Sequence, residues 1–318
     1  MKTMQLSIVV PVYNNYDLMD KLLFSLNNQS IFNFEVIFVD DSVNTINYHK
    51  LIDKLKKCKF NYQVYKNEKN IGPGLSRNKG IDLAKSNYIT FVDADDYIDN
   101  VFVERIWNVI KKKHPDMIFF DYYISNNMKI KKALLGDMPN MMKSDYLALS
   151  NGMCWGKVFK KDIIIKNNIR FLNIKRAEDL AFSKVAIDKS NTFEYIPEPL
   201  YYYYLNSGSI MHSKNTVVLS DIEKAIEYIN QNIEDSEAFE LIYIKDYVYV
   251  MIKSMIILND NTKSIKKTVD KLLMQRPNWY KNKYLHYQPR YLKIIFWLIK
   301  NRKIFLIKIT PQGASELF

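Results

Sequence analysis

Four short apolar runs, Leu6–Val12, Glu35–Val39, Tyr62–Lys66 and Tyr88–Val92, alternate with segments of helical periodicity at Leu18–Asn27, Leu51–Lys57 and Leu75–Ala84. No other feature limits the fold of this chain as much. Apolar runs bounded by polar turns and separated by helices of this length form a mainly parallel sheet covered on both faces, so the expected class is α/β. Ligands of such sheets bind beyond the carboxyl ends of the strands. The residues that follow each run are therefore the ones to inspect: Asn14-Asn15, Asp40-Asp41-Ser42, Asn67 to Gly74, and Asp93-Ala94-Asp95-Asp96. Polar and acidic residues collect at one end of the sheet.

Each of these stretches admits a chemical reading and a plain one. In FVDADDYID, Asp93 and Asp95 fall on the same side of an extended chain end, spaced to share a divalent cation or a cation-bound phosphate. Mg²⁺ and Mn²⁺ are hard ions that take oxygen ligands in this way; the plain alternative is a strand-terminating turn with its acids in water. Asp40 and Asp41 could accept from a base imide or a ribose hydroxyl, or Asp41 or Ser42 could cap a helix. NIGPGLSRNKG matches neither common phosphate-loop order, yet Gly72 and Gly74 permit close backbone approach, and Arg77 in the first helical turn could face a diphosphate or simply water. Glu178 and Asp179 of RAEDLAF begin a helical pattern, where the dipole favours acids; an Asp here could instead be a general base for an alcohol. His212 could complete a metal shell or touch a phosphate. Trp155 could be core or a cleft wall that stacks on a sugar, and Tyr201 to Tyr204 reads as a half-buried strand with alternate rings outward.

With 318 residues the chain can bury a sizeable core, and Cys58 and Cys154 make no disulfide framework. No run reaches the roughly 18 apolar residues of a membrane span, so a cytoplasmic protein without a transmembrane anchor is expected. Beyond Val217 the pattern turns helical, which places a boundary near residue 215, with residues 1–215 and 216–318 as the two parts. The net charge of +12 is concentrated at the end: from Lys271 onward ten basic residues face one acid, Glu316. The stretch RYLKIIFWLIKNRKIFLIKIT suits an interfacial helix on anionic lipid, or a helix packed on the domain with its lysines in water. No nucleic-acid recognition motif accompanies the charge.

Taken in order, LSIVVPVYNN, FEVIFVDDS, NIGPGLSRNKG, FVDADDYID, CWGKVFKK and RAEDLAF resemble the inverting family 2 glycosyltransferases of the bacterial surface-polysaccharide type, over about two thirds of the chain. The resemblance implies a Rossmann-like GT-A catalytic domain over residues 1–215, with nucleotide-sugar binding in 1–100 and the acceptor side in 101–215, followed by a smaller helical region. It implies a UDP-sugar donor, a divalent metal (Mn²⁺ or Mg²⁺), and a glycan or lipid-linked acceptor in surface polysaccharide, lipooligosaccharide or teichoic acid synthesis. Pro11, Val12 and Tyr13 would flank the base, Asp41 would bind uracil, Arg77 would lie near the nucleotide and Asp93 near the ribose. Asp95 would hold the metal, with Asp96 orienting it and Asp99 capping the next helix. Asp179 would be the catalytic base, Glu178 its support or an acceptor contact, and Trp155 a wall of the acceptor site. Where many relatives carry an arginine, this chain reads Tyr204-Leu205-Asn206-Ser207-Gly208-Ser209-Ile210, so His212 is expected to take more of the diphosphate and metal contact. The expected location is the inner face of the cell membrane, held there by the tail; a homo-oligomer is left open. The rival reading is a non-catalytic nucleotide- or carbohydrate-binding scaffold of the same fold.

Overall fold

The computed structural model describes residues 5–14, 16–43, 45–124, 129–131, 141–204, 219–258 and 260–307. In chain order the elements are β1 (Leu6–Val12), α1 (Met19–Asn27), β2 (Phe34–Asp40), α2 (Thr45–Leu55), β3 (Asn61–Lys66), α3 (Pro73–Leu83), β4 (Tyr88–Phe91), β5 (Tyr97–Ile98), α4 (Phe102–Lys113), β6 (Met117–Ile124), β7 (Lys129–Lys131), α5 (Lys143–Leu149), β8 (Lys157–Lys160), α6 (Lys161–Lys166), α7 (Glu178–Lys189) and β9 (Phe193–Tyr203). Helices α8 (Leu219–Asn232), α9 (Glu237–Ile242), α10 (Tyr249–Ile257), α11 (Thr262–Leu273), α12 (Arg290–Lys300) and α13 (Ile304–Ile307) follow.

The chain divides into two compact units, Met1–Leu134 with Asn151–Asn206, and Leu135–Ser150 with Ser207–Phe318. A single boundary near residue 215 is what the sequence suggests; the structure moves α5 into the helical unit. There α5 packs on α9, and its buried Asp145 accepts from the Tyr284 hydroxyl at 2.9 Å across 139 residues. Local pattern carries no trace of such a contact.

In the first unit the strands form one sheet in the order β3-β2-β1-β4-β8-β6-β9-β5, with β7 added on β6. Pairings β3–β2, β2–β1 and β1–β4 are parallel, as the alternation of strands and helices predicts. Past β4 the sheet becomes mixed: β8 runs antiparallel to β4 and β6, β9 parallel to β6, and β5 antiparallel to β9. The sheet is therefore less parallel than expected: β8, reached from β6 by way of β7 and α5, enters antiparallel between β4 and β6. Strands β2 and β4 are buried along their whole length, whereas edge strand β3 is largely half-exposed, which matches helices covering both faces.

Strand order reverses at β1, whose neighbours β2 and β4 lead the chain to opposite sides, and a crevice is expected at such a switch point. The β1–β4 pairing ends at Val9–Phe91, so Pro11, which lacks an N–H, lies beyond it. Helix α3 approaches β1 so closely that a Cβ on Gly80 would sit 2.2 Å from Val9 Cγ1. That contact sets α3, and with it Arg77, over the carboxyl end of β1.

Candidate active site

The Asp41 carboxylate anchors the glycine loop. Its Oδ1 accepts from Asn67 Nδ2 (2.9 Å) and from the Ile71 N–H (2.9 Å), and its Oδ2 from the Gly72 N–H (2.8 Å). Gly72, at φ 87°, adopts a conformation that side-chain-bearing residues avoid, and it leads directly into α3 at Pro73. Asp41 thus caps a loop thirty residues away in sequence. A carboxylate has about four acceptor sites, and one stays available beyond these three bonds. Among the residues assigned to the base, Val12 is fully buried and its carbonyl accepts from the Asp41 N–H (2.8 Å), while Tyr13 is 48% exposed.

Arg77 is the hub of the site. Its side chain is buried over the Phe171 ring, with the guanidinium 5.5 Å from the ring centroid. One terminal nitrogen donates to Asp93 Oδ1 (2.7 Å) and the other to Asp179 Oδ1 (2.9 Å), with Glu178 Oε1 at 3.6 Å. A planar fork suits this bridging of two carboxylates. It ties the end of β4 to the start of α7. Helix α7 is launched from Ala177, which has a left-handed φ of 63°; such strain in a residue with a side chain persists only where the surroundings enforce it. Here it turns Glu178 and Asp179 inward at the positive end of a twelve-residue helix.

The acidic turn after β4 is held from β9. The Tyr201 hydroxyl donates to Asp96 Oδ2 and accepts from the Asp93 N–H (3.3 Å), and Asp96 Oδ1 accepts from the Tyr204 N–H (2.7 Å). Tyr201 is itself fixed by Trp155, whose ring is stacked on it at 4.8 Å and on Tyr203 at 5.2 Å. Trp155 is only 4% exposed. Its indole packs beneath the acidic turn and does not present a face to a cleft, unlike the sugar wall suggested from sequence. The tyrosine run alternates as expected, since Tyr202 turns the other way and stacks on Tyr97 at 4.5 Å.

One guanidinium faces Asp93, Glu178 and Asp179, so the cluster carries excess negative charge. Glu178 shows the effect: burial, then the charge of Asp179, raise its carboxyl from 4.5 to about 7 against the pull of Arg77. Between those values the folded protein holds the proton more tightly than the unfolded chain. This group therefore makes stability fall as pH rises from about 4.5 to 7. Glu178→Gln, neutral throughout, is expected to flatten that part of the profile, so that parent and variant match in urea melts at pH 5 and the variant is the more stable at pH 7.5. An unchanged slope would show that Glu178 does not titrate in this window.

Asp95 is pushed up to about 6 by burial and by Asp93, and buried Asp96 is raised further by burial, Asp93 and Asp95. A bound cation would relieve this repulsion. The donor set is hard oxygen, which fits Mg²⁺ or Mn²⁺. Among the described residues no three His, Cys, Asp or Glu side chains converge on one metal position. An ion at Asp95 would be held by one or two carboxylates and completed by phosphate oxygens and water.

The structure thus brings Arg77, Asp93, Glu178 and Asp179 into direct contact, sets Asp95 beside them, and joins Asp41 through the loop into α3. His212 lies outside the described residues. Three contributors escape the sequence reading. Cys154 presents its backbone N–H to Asp179 Oδ2 at 3.4 Å, and its thiol, buried beside Asp179, is pushed well up by burial. Tyr201 anchors the acidic turn. Lys157, fully buried, donates to Asn151 Oδ1 and the Met153 carbonyl, both at 2.6 Å, and so fixes the loop carrying Cys154. The CWGK stretch holds both Cys154 and Lys157, but nothing in it signals which carboxylate they serve.

Comparison with known proteins bears on this geometry. The family described as Glycosyl transferase family 2 matches residues 7–166, half of the chain. A poly(ribitol-phosphate) beta-glucosyltransferase of Bacillus spizizenii is 28% identical over 322 residues, covering 98% of this chain and 50% of that protein. The chain therefore spans about half the length of this relative. A cholesterol galactosyltransferase of Borreliella burgdorferi is 24% identical over 81% of this chain and 77% of its own length. Among solved structures, Staphylococcus aureus TarS 1–349 in complex with UDP superposes with a TM-score of 0.69 at 19% identity, covering 96% of this chain and 89% of that one. At that identity the likeness establishes the fold, a GT-A type mixed sheet with flanking helices.

Proposed function

The chain belongs to glycosyl transferase family 2, and from that premise we propose that it is an inverting glycosyltransferase moving a sugar from a UDP-sugar to a hydroxyl of a glycan or lipid-linked acceptor of the bacterial cell envelope. The observation that carries this reading is the Arg77 bridge, which brings Asp93 of the donor side and Asp179 of the acceptor side onto one guanidinium. A donor at the strand ends and a base for the acceptor then share one small space.

The chemistry needs few groups. Asp179 takes the proton of the acceptor hydroxyl as its oxygen attacks the anomeric carbon; the new glycosidic bond forms as the bond to the diphosphate breaks, and configuration inverts. Its side chain keeps 24% exposure, enough for an incoming hydroxyl to reach it. Arg77 and the Cys154 N–H hold that carboxylate in one orientation at the start of α7. Glu178, held against Arg77 beside the base, orients it or meets the acceptor. On the donor side, Tyr13 and Asp41 receive the base, and Asp93 the ribose. A divalent cation on Asp95, with Asp93 adjacent, supplies charge neutralisation for the departing diphosphate when bound.

The relatives include a poly(ribitol-phosphate) beta-glucosyltransferase and a cholesterol galactosyltransferase. This supports an acceptor such as a polyol-phosphate polymer or a lipid-linked glycan. Among the described residues no helix is long and apolar enough to cross a membrane, and the basic helical region is proposed to hold the enzyme on the inner face of the membrane.

The test is UDP or GDP release from a panel of nucleotide sugars with Mn²⁺, alongside titration of UDP. Release from at least one UDP-sugar is expected, and Asp95→Ala should lose most of the Mn²⁺ dependence of UDP binding. If no donor bound or turned over, the proposal would fail; metal-dependent UDP binding without transfer to any acceptor would favour the non-catalytic scaffold.

A further inference from the structure

The strongly apolar side of the basic terminal segment is already used in packing. Leu292, Ile295, Phe296, Leu298 and Ile299 of α12 are buried, Phe296 against Trp279 with ring centroids 6.0 Å apart. A helix laid on lipid by that side, as the sequence suggests, would leave the helical unit without this core. A second apolar strip remains. Tyr291, Ile294 and Trp297 follow one another at intervals of three along α12 and are 37%, 50% and 52% exposed; Phe305 of α13 is 52% exposed. At about 100° per residue, Arg290, Lys293 and Lys300 fall on the same outward half of the helix, and all three are exposed, as is Lys303.

Two of these cations lean on rings. Lys303 Nζ lies 4.9 Å from the Trp297 ring and Lys300 Nζ 4.1 Å from that of Tyr280. No carboxylate among the described residues pairs with Arg290, Lys293, Lys300 or Lys303, whereas neighbouring Arg302 is paired with Asp270 at 2.5 Å.

We propose that this outward face, Tyr291-Ile294-Trp297 with Phe305, framed by Arg290, Lys293, Lys300 and Lys303, docks on an anionic bilayer. Aromatic rings settle at the headgroup level, Ile294 reaches the acyl boundary, and the cations meet lipid phosphates. Charge argues for this occupant. A second copy would bring four like charges against four, which opposes pairing, and no acid other than Glu316 follows Lys271 to offset them. The proposal deepens the membrane-facing part of the proposed function.

The experiment is co-sedimentation of the full chain with phosphatidylcholine vesicles and with vesicles containing about 30% phosphatidylglycerol, where about tenfold tighter binding to the anionic set is expected, weakening as salt rises. Ile294→Glu/Trp297→Glu, both outward, should reduce it about tenfold with unchanged circular dichroism. Equal binding to both vesicle types, no effect of the double substitution, or a dimer in gel filtration that the same substitution dissolves would overturn it. UDP-sugar turnover is measured in parallel: turnover without vesicle binding refutes this face and leaves the transferase, and vesicle binding without turnover does the reverse.

Discussion

Asp179→Asn is expected to slow transfer by about a thousandfold while leaving UDP affinity within about threefold of the parent, since removing a general base costs about a hundred- to ten-thousandfold. A thousandfold loss is about 4 kcal/mol of transition-state stabilisation. The substitution is conservative in structure. Asparagine keeps Oδ1 as the acceptor for Arg77 (2.9 Å), and the contact it disturbs, the 3.4 Å approach of the Cys154 N–H to Oδ2, is a long one. The residues proposed to bind the donor, Asp41, Asp93 and Asp95, are not altered. A kcat loss with an unchanged UDP titration therefore identifies a proton acceptor. Parallel loss of kcat and UDP binding would remove Asp179 from the base role and make it part of the donor site. Glu178→Gln serves as the control beside it: held against the same guanidinium, it should cost far less in kcat if Asp179 is the group that takes the proton.

The parallel half of the sheet was legible because its determinants are local. Leu6–Val12 is an apolar run in sequence and is buried in structure at every position but Pro11, and Pro73–Leu83 begins where Gly72 and Pro73 permit a helix to begin. The acids at strand ends were legible for the same reason: an α/β sheet directs every strand of its parallel half to one edge, so position along the sheet follows from position in the motif. What escaped was pairing at long range. Strand β8 enters between β4 and β6 through Thr90–Val158 and Ile118–Val158 contacts, and neither partner signals the other. Trp155 reads as a candidate sugar wall until β9 places Tyr201 and Tyr203 against its indole. Asp41 could be a cap or a ligand from sequence, and its carboxylate caps the Ile71–Gly72 turn with acceptor capacity left for a ligand. The tail was half legible: two faces could be seen in its spacing, but which face the core would claim is decided by Trp279 and its neighbours.

Arg77→Met should destabilise the fold by about 3 kcal/mol at pH 7, because removing one partner of a buried ion pair leaves the others uncompensated, at a cost of roughly 3–5 kcal/mol. The lower end applies because Asp93 and Asp179 keep 28% and 24% side-chain exposure and can recover some hydration. The cation is already disfavoured by burial, yet Asp179, Asp93 and Glu178 hold the guanidinium well above its ordinary range. Methionine fills most of the stem volume over Phe171, so the loss reports charge more than packing. Its pH dependence has a definite sign. Without the guanidinium, Glu178, already raised to about 7 by burial and Asp179 against the pull of Arg77, binds its proton more readily still in the folded state. Stability of the variant should then recover as pH falls from 7 toward 5, more steeply than in the parent. Arg77→Lys, with a point charge in place of a fork, should fall between the two. Urea melts at pH 5 and 7 decide the matter together with a UDP titration. Loss of UDP binding at unchanged stability would show that Arg77 serves the nucleotide directly, the role implied by the family resemblance; loss of stability that low pH restores identifies it as the tie between the donor-side acids and the proposed base.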